Sequence, residues 1–305
     1  VAFLFLVTLF IAPVQIATEA LSEAQNALAS FRRVLDVVDT EPDVADPGEG
    51  GRVLPPGPLG VRFEAVTFRY PNANRAALVD VDLDIRPRSR VAVVGETGSG
   101  KTTFAKLLTR LMDPTSGRVV LGGVPLQEVV FSSLRARVVM VPQDGFLFDE
   151  SIAENVRYGR LDATDAEIVA AFGRLGLGDW LAGLPDGLRT PVGERGEALS
   201  VGERQLVAIA RAYIADPDVL VLDEATSAVD PATEVRLARA LDSLTRGRTT
   251  LTIAHRLATA EAADEVIVVD AGRVVQRGPH AALVGDDSGP YARLHASWAT
   301  QRRAG

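Results

Sequence analysis

The sequence predicts an α/β fold, on three observations. Arg90-Val91-Ala92-Val93-Val94 is a short β-branched run of the kind buried in a parallel sheet. It is followed by a glycine loop and then by Thr103–Leu111, whose Phe104, Leu107, Leu108 and Leu111 share a helical face. A second apolar run, Val219–Leu222, ends on two acids, Asp223 and Glu224. Upstream, Val61–Tyr70 and Val81–Ile85 alternate apolar and polar residues and predict a half-buried antiparallel layer.

The loop between the first strand and its helix is Gly95-Glu96-Thr97-Gly98-Ser99-Gly100-Lys101-Thr102, a match to G-x-x-x-x-G-K-[ST] in the strand-loop-helix context that gives this pattern meaning. Glycines let the backbone curl so that successive N–H groups converge on phosphate oxygens. The helix N-terminus adds partial positive charge at the same place. Lys101 is suited to β and γ phosphates, and Thr102 to Mg²⁺. Asp223 completes such a site by holding the metal, and Glu224 is placed to orient and deprotonate water.

Bulk properties narrow the field. A length of 305 residues with 47% hydrophobic content allows one large domain or two smaller ones. The formal charge of −8 and the lack of a basic stripe disfavour nucleic acid as a partner. Lys101 and Lys106 are the only lysines in an arginine-rich chain. With no cysteine, disulfides and thiolate metal sites are excluded.

Along the chain, Val1–Ala12 is almost wholly apolar. As a helix, the stretch to Ala17 would rise roughly 25 Å, slightly short of a ~30 Å hydrocarbon core. Residue 1 is Val, and the expectation is a chain that starts inside a transmembrane helix, with a buried soluble helix as the alternative. Leu21, Ala24, Leu28, Phe31, Leu35 and Val38 continue an apolar seam. The expected organisation is a helix over 1–40, a Pro/Gly/Asp-rich linker over 41–58, a nucleotide-binding domain over 59–287 and a tail over 288–305. Gly117–Leu121, Val138–Val141 and Thr249–His255 read as further strands, and Ile152–Leu184 as helical. Glu265–Asp270 and Arg273–Gln276 read as a hairpin, and Pro290–Trp298 as a short terminal helix. Ser200-Val201-Gly202-Glu203 has capping-box spacing and predicts a helix running to Ile214, stopped by Asp216-Pro217.

The motif order then carries a family resemblance. Pro142-Gln143-Asp144, Leu199-Ser200-Val201-Gly202-Glu203, Asp223-Glu224, Ser227-Ala228-Val229-Asp230 and Ala254-His255-Arg256 follow the glycine loop. Together they resemble the nucleotide-binding domain of an ABC transporter over roughly residues 60–285, and Val1–Asp39 resembles the end of the last membrane helix of an exporter with fused domains. The resemblance implies a P-loop NTPase fold with a RecA-like core, an antiparallel β layer and a helical subdomain at about 144–214. It implies ATP and Mg²⁺ as cofactors. Tyr70 is then expected to stack on adenine, and Gly95 to Thr103 to hold the phosphates. Thr102, Gln143 and Asp223 would meet the metal, Gln143 also the attacking water, Glu224 would act as base, and His255 would contact the γ-phosphate. Glu194 matches a loop near the coupling surface, and Asp230 an acid at the dimer interface.

Leu199, Ser200 and Gly202 match the signature that binds ATP held by a second subunit. Here the family pattern Leu-Ser-Gly-Gly-Gln is altered at Val201 and Glu203. Val restricts the backbone, and a carboxylate repels a triphosphate unless Glu203 turns back to cap its own helix. Heterodimeric relatives pair a working with an impaired site, so the expectation is a second ABC subunit, a heterodimer before a homodimer, in a cell membrane with the ATPase domain on the cytoplasmic side. The resemblance implies ATP-driven export; a soluble ABC ATPase of repair or translation, or an importer of exporter-like fold, stays open at this stage.

Overall fold

The computed structural model describes residues 2–223, 230–254, 256–286 and 288–304. The chain divides into two compact units, Val1–Ala45 and Asp46–Gly305.

The first unit is one helix, α1 (Ala2–Val38), longer than the apolar run alone indicates. Its Phe5–Val38 portion is long and apolar enough to cross a membrane. Pro13 lies inside it and removes one backbone donor. Thr18 and Ser22 send their hydroxyl protons back to the carbonyls of Val14 and Thr18 at 2.8 and 2.9 Å, which satisfies these side chains without any outside partner.

The second unit begins with β1 (Val61–Phe68), β2 (Leu78–Ile85), β3 (Arg90–Val94), α2 (Lys101–Leu108), β4 (Ser116–Leu121), β5 (Val124–Pro125), α3 (Phe131–Arg137) and β6 (Val138–Val141). Helices α4 (Ile152–Arg157), α5 (Asp165–Arg174), α6 (Gly178–Ala182) and α7 (Val201–Ile214) follow. The remainder is β7 (Val219–Asp223), α8 (Pro231–Thr245), β8 (Thr249–Ile253), α9 (Leu257–Glu261), β9 (Glu265–Asp270), β10 (Arg273–Gly278), α10 (His280–Val284) and α11 (Pro290–Ala304).

Two sheets form. One is antiparallel, in the order β2-β1-β4-β5; the other has the order β10-β9-β3-β8-β7-β6, parallel except for the β9–β10 hairpin. Alternation explains why both faces of the parallel sheet are covered. Val91 and Val93 bury against α2 and the antiparallel layer, where Phe63 meets Phe104 edge to face at 5.3 Å. Ala92 and Val94 bury on the opposite face with Leu283 and Tyr291. On β7, Val219 and Val221 join the first core, while Leu220 and Leu222 join a third cluster built with α4 to α8.

The structure departs from simple sequence reading in three places. In β1 the buried set switches from Val61 and Phe63 to Val66 and Phe68, because a bulge at Ala65, with φ +47°, inserts a residue and reverses the alternation. Helix α2 ends at Leu108, because Arg110 adopts φ +48° and turns the chain; Leu111, expected on the apolar face, is 54% exposed. The helical stretch expected from Ile152 to Leu184 is three short helices separated by turns, two of them begun by side-chain caps at Ser151 and Thr164.

Candidate functional site

The glycine loop runs from the end of β3 to the start of α2. Gly95, Gly98 and Gly100 have φ of +152°, +81° and +112°, conformations that a side chain strongly disfavours. Space adds to the requirement. A Cβ on Gly95 would lie 2.1 Å from the Val269 carbonyl oxygen, and one on Gly100 2.4 Å from that of Ala77. The loop is therefore pressed onto β9 and onto the start of β2.

Lys101 opens α2 and is 5% exposed. Its ammonium donates to the Gly95 and Glu96 carbonyls, both at 2.8 Å, and so folds back over the loop. Burial lowers its pKa, and the charge of Asp223 opposes that shift. No side chain caps α2; Thr103 N–H turns back to the Gly100 carbonyl at 3.0 Å, and the helix start otherwise relies on backbone alone. Ser99 Oγ is buried with no hydrogen-bond partner among the described residues. Glu96, Thr97 and Thr102 are exposed, and Thr103 is buried. A curled loop with an uncapped helix start, a buried cation and an orphan hydroxyl fits a polyphosphate.

Sheet register brings the second half of the site to the same edge. Val93 pairs with Ile253, and Ile253 pairs with Asp223, so the ends of β3, β8 and β7 lie in one row. With strands about 4.8 Å apart, Asp223 sits roughly 10 Å along the sheet from the strand that feeds the glycine loop. Val141 pairs with Leu222, which puts Gln143 beyond the same edge, where its side chain is exposed. The Gln205 amide of α7 donates to the Gln143 carbonyl at 3.1 Å and ties this loop to the helical subdomain. A hydroxyl, a carboxylate and an amide oxygen, from Thr102, Asp223 and Gln143, are a donor set suited to a hard cation such as Mg²⁺. Glu224, with Ser227-Ala228-Val229, and His255 lie outside the described residues.

Tyr70 follows β1 and packs half-buried beside α2. Its hydroxyl is 3.3 Å from Thr103 Oγ1, its ring meets Phe68 edge to face at 4.9 Å, and Lys106 Nζ lies 5.5 Å from the ring centroid. The aromatic ring thus sits next to the first turns of the phosphate-loop helix.

The residues matched to the family signature stand at the start of α7. Leu199 buries in the helical-subdomain cluster rather than against α2. Ser200 is the N-cap, and a complete capping box forms: Glu203 N–H donates to Ser200 Oγ, and Ser200 N–H donates to the Glu203 carboxylate. Trp180 Nε1–H donates to the other Glu203 oxygen at 3.1 Å. Partial burial works against the Glu203 charge, but these hydrogen bonds outweigh it and hold the carboxyl below its ordinary range. Val201 is the first helical residue and needs no left-handed backbone, and Gly202 is buried behind it.

Asp230 caps α8: its carboxylate accepts from Thr233 N–H at 3.0 Å, the Thr233 side chain and then its N–H hold the carboxyl below its ordinary range, and Pro231 follows at the first helical position. Glu194 is exposed in a single turn of tight helix between Gly193 and Gly196.

Three supporting residues escaped sequence reading. Gly272, in the β9–β10 turn, donates to the Ser99 carbonyl at 2.9 Å and accepts from Val79 N–H at 2.8 Å, bracing the glycine loop from behind. Gln205 and Trp180 hold the Gln143 loop and Glu203. The Ala271-Gly272 turn was visible as a turn, but nothing local ties it, or Trp180, to residues far away in sequence.

Comparison with known proteins agrees with this geometry. Residues 78–227 match the family model described as ABC transporter. A protein named ATP-dependent lipid A-core flippase from Chromobacterium violaceum is 43% identical over 285 residues, covering 93% of this chain and 48% of that protein. Its namesake from Alkalilimnicola ehrlichii is 43% identical over 296 residues, covering 97% of this chain and 50% of its own length. A solved bacterial Atm1-family ABC exporter with ATP bound superposes with a TM-score of 0.82 at 39% identity, over 91% of this chain and 47% of that one. The chain spans about half the length of these relatives. With the glycine loop, the Asp223 strand and the capped signature helix in this arrangement, the chain belongs to the ABC transporter family and carries its ATPase domain.

Proposed function

We propose that this chain is the ATP-binding and hydrolysing part of a membrane exporter. Two such domains would close on ATP, and the closure would drive α1 and the membrane helices joined to it. The observation that carries this reading is the register row Val93–Ile253–Asp223, which aligns the glycine loop and the acidic strand end on one sheet edge. The similarity to proteins named as flippases and to a solved exporter favours export over the soluble and import alternatives. The domain would lie on the cytoplasmic side of a cell membrane, with a second ABC subunit as partner.

In this reading the loop amides of Gly95 to Thr103 bind the phosphates, and Lys101 moves from the Gly95 and Glu96 carbonyls to the β and γ oxygens. Tyr70 offers its ring to the adenine. Thr102, Asp223 and Gln143 hold Mg²⁺, which when bound neutralises phosphate charge. Glu224 orients water and takes its proton, and His255 holds the γ-phosphate for in-line attack. Ser200 and the α7 N-terminus would serve the partner's nucleotide. Glu203 bonds to Ser200 N–H and Trp180, which supports a signature competent for that task.

The test is phosphate release by the complete protein in lipid. Lys101→Ala should remove turnover, because water does not replace a placed cation in a closed phosphate site. Glu224→Gln should keep ATP binding and slow hydrolysis by roughly 10²–10⁴-fold, as for a lost general base. Near-normal turnover in Lys101→Ala would refute the assignment.

A further inference from the structure

Two of the chain's three histidines meet at α10 and α11. His280 opens α10 and His295 lies in α11, with ring centroids 5.6 Å apart. Glu261, the last residue of α9, completes the group: a carboxylate oxygen and one ring nitrogen from each histidine lie within 4.8 Å of one another. Three helices thus contribute one side chain each.

A second feature resembles the support of a metal ligand. The Tyr291 hydroxyl is 2.7 Å from His280 Nδ1, and the two rings meet at 88°. Tyr291 is itself fixed. It is fully buried, and its backbone N–H donates to Gln276 Oε1 at 3.1 Å. A partner on one ring nitrogen sets the ring's orientation and its tautomer, and leaves the other nitrogen for an ion. Glu261 is exposed and the histidines are half-buried, so an ion has access from solvent.

We propose that Glu261, His280 and His295 form a zinc site that pins α11 to α9 and α10. Imidazole and carboxylate ligands without thiolate suit a borderline cation such as Zn²⁺ better than Mg²⁺ or Ca²⁺. Zn–N and Zn–O bonds of about 2.0–2.2 Å bring tetrahedral ligands to roughly 3.4 Å from each other. The exposed Glu261 side chain has the freedom to close that gap. Three protein ligands leave a fourth position for water.

The test uses the complete polypeptide, stripped with chelator and titrated with Zn²⁺, with Co²⁺ as the spectroscopic probe. The unaltered protein should bind one zinc more per chain than His295→Gln or Glu261→Gln, and its cobalt form should show tetrahedral d–d bands that both variants lose. Zinc at a hundredfold over Kd should raise Tm by about 5 °C. His280→Gln risks disturbing Tyr291, so Tyr291→Phe serves as the supporting variant. It keeps the ring, and should bind zinc about 10–100-fold more weakly. Equal zinc stoichiometry and affinity in the unaltered protein and in His295→Gln, or no zinc-dependent change in Tm in the unaltered protein, overturns the site.

Discussion

Ser200 and Glu203 exchange hydrogen bonds across the first turn of α7: Ser200 N–H donates to the Glu203 carboxylate at 2.9 Å, and Glu203 N–H donates to Ser200 Oγ at 3.3 Å. The charge that departs from the family pattern is therefore used within its own helix. Glu203→Gln should be nearly silent in stability, since glutamine keeps the reciprocal bond. Glu203→Ala loses the box and leaves Trp180 Nε1–H without its acceptor. A loss of about 1–3 kcal/mol is expected, read as a Tm lower by several degrees. Equal melting of the two variants would mean that the box contributes nothing.

The glycines of the phosphate loop should not respond alike. At Gly95 a Cβ meets the Val269 carbonyl oxygen at 2.1 Å, backbone against backbone, so Gly95→Ala must displace the loop. At Gly98 nothing lies within 4 Å, and the cost is conformational only, at φ +81°. Gly98→Ala should cost at most the ~1–2 kcal/mol of left-handed strain, about 5–30-fold in ATP affinity, whereas Gly95→Ala should weaken binding by more than that, about a hundredfold. Nucleotide affinity from fluorescent ATP displacement separates the two. The reverse order would contradict the bracing of the loop on β9.

Both halves of this site were legible in the sequence because each is local. The loop pattern names Gly95 to Thr102, and the run into Asp223 names its strand. Sheet order was not legible. That β8 pairs with β3, and that β9 props Gly95, depend on contacts across more than a hundred residues. The β1 bulge was hidden for another reason: Ala65 gives no sign that it will adopt φ +47° and donate its N–H to the Asp82 carboxylate of the facing strand. Helix breaks between α4, α5 and α6 were blurred because apolar spacing persists through the short turns. Ser200 and Glu203, only three residues apart, were readable as a cap, while Trp180 as the second donor was not.

Acid should loosen the helical subdomain through its caps. Glu167 closes the box at the start of α5. Hydrogen bonds from Thr164 N–H, Arg160 and Thr164 Oγ1 hold its pKa at about 2, against an ordinary value of 4.5. A folded-state pKa below the unfolded one gives stability that is complete above the unfolded value and lost as pH falls through the folded one. The contribution should therefore fade between about pH 4.5 and about pH 2. Glu203, also held low, acts in the same direction. Glu167→Gln should show a flatter fall of Tm over that window. Parallel curves for the variant and the unaltered protein would show that the box does not couple to folding.

Ser200 Oγ accepts from Glu203 N–H and its side chain also helps hold the Glu203 carboxyl low, while Ser200 stays exposed at a helix N-terminus, where a nucleotide of higher charge would compete for its proton. Val201 occupies a position of ordinary helical backbone, so its methyl groups do not distort the turn. Ser200→Gly isolates the hydroxyl, because glycine at an N-cap costs only a few tenths of a kcal/mol. If the signature serves a hydrolytic site, turnover of the complete protein should fall by about 10²-fold, as for loss of one placed donor to a transferring phosphate, with Tm nearly unchanged. Turnover that survives Ser200→Gly but not Glu224→Gln would place all hydrolysis in the site built on Lys101. It would then identify the partner as a different chain, lacking a Glu224 equivalent. Loss in both variants is the expected outcome, because every structural cost assigned to Val201 and Glu203 from sequence is met locally at the start of α7.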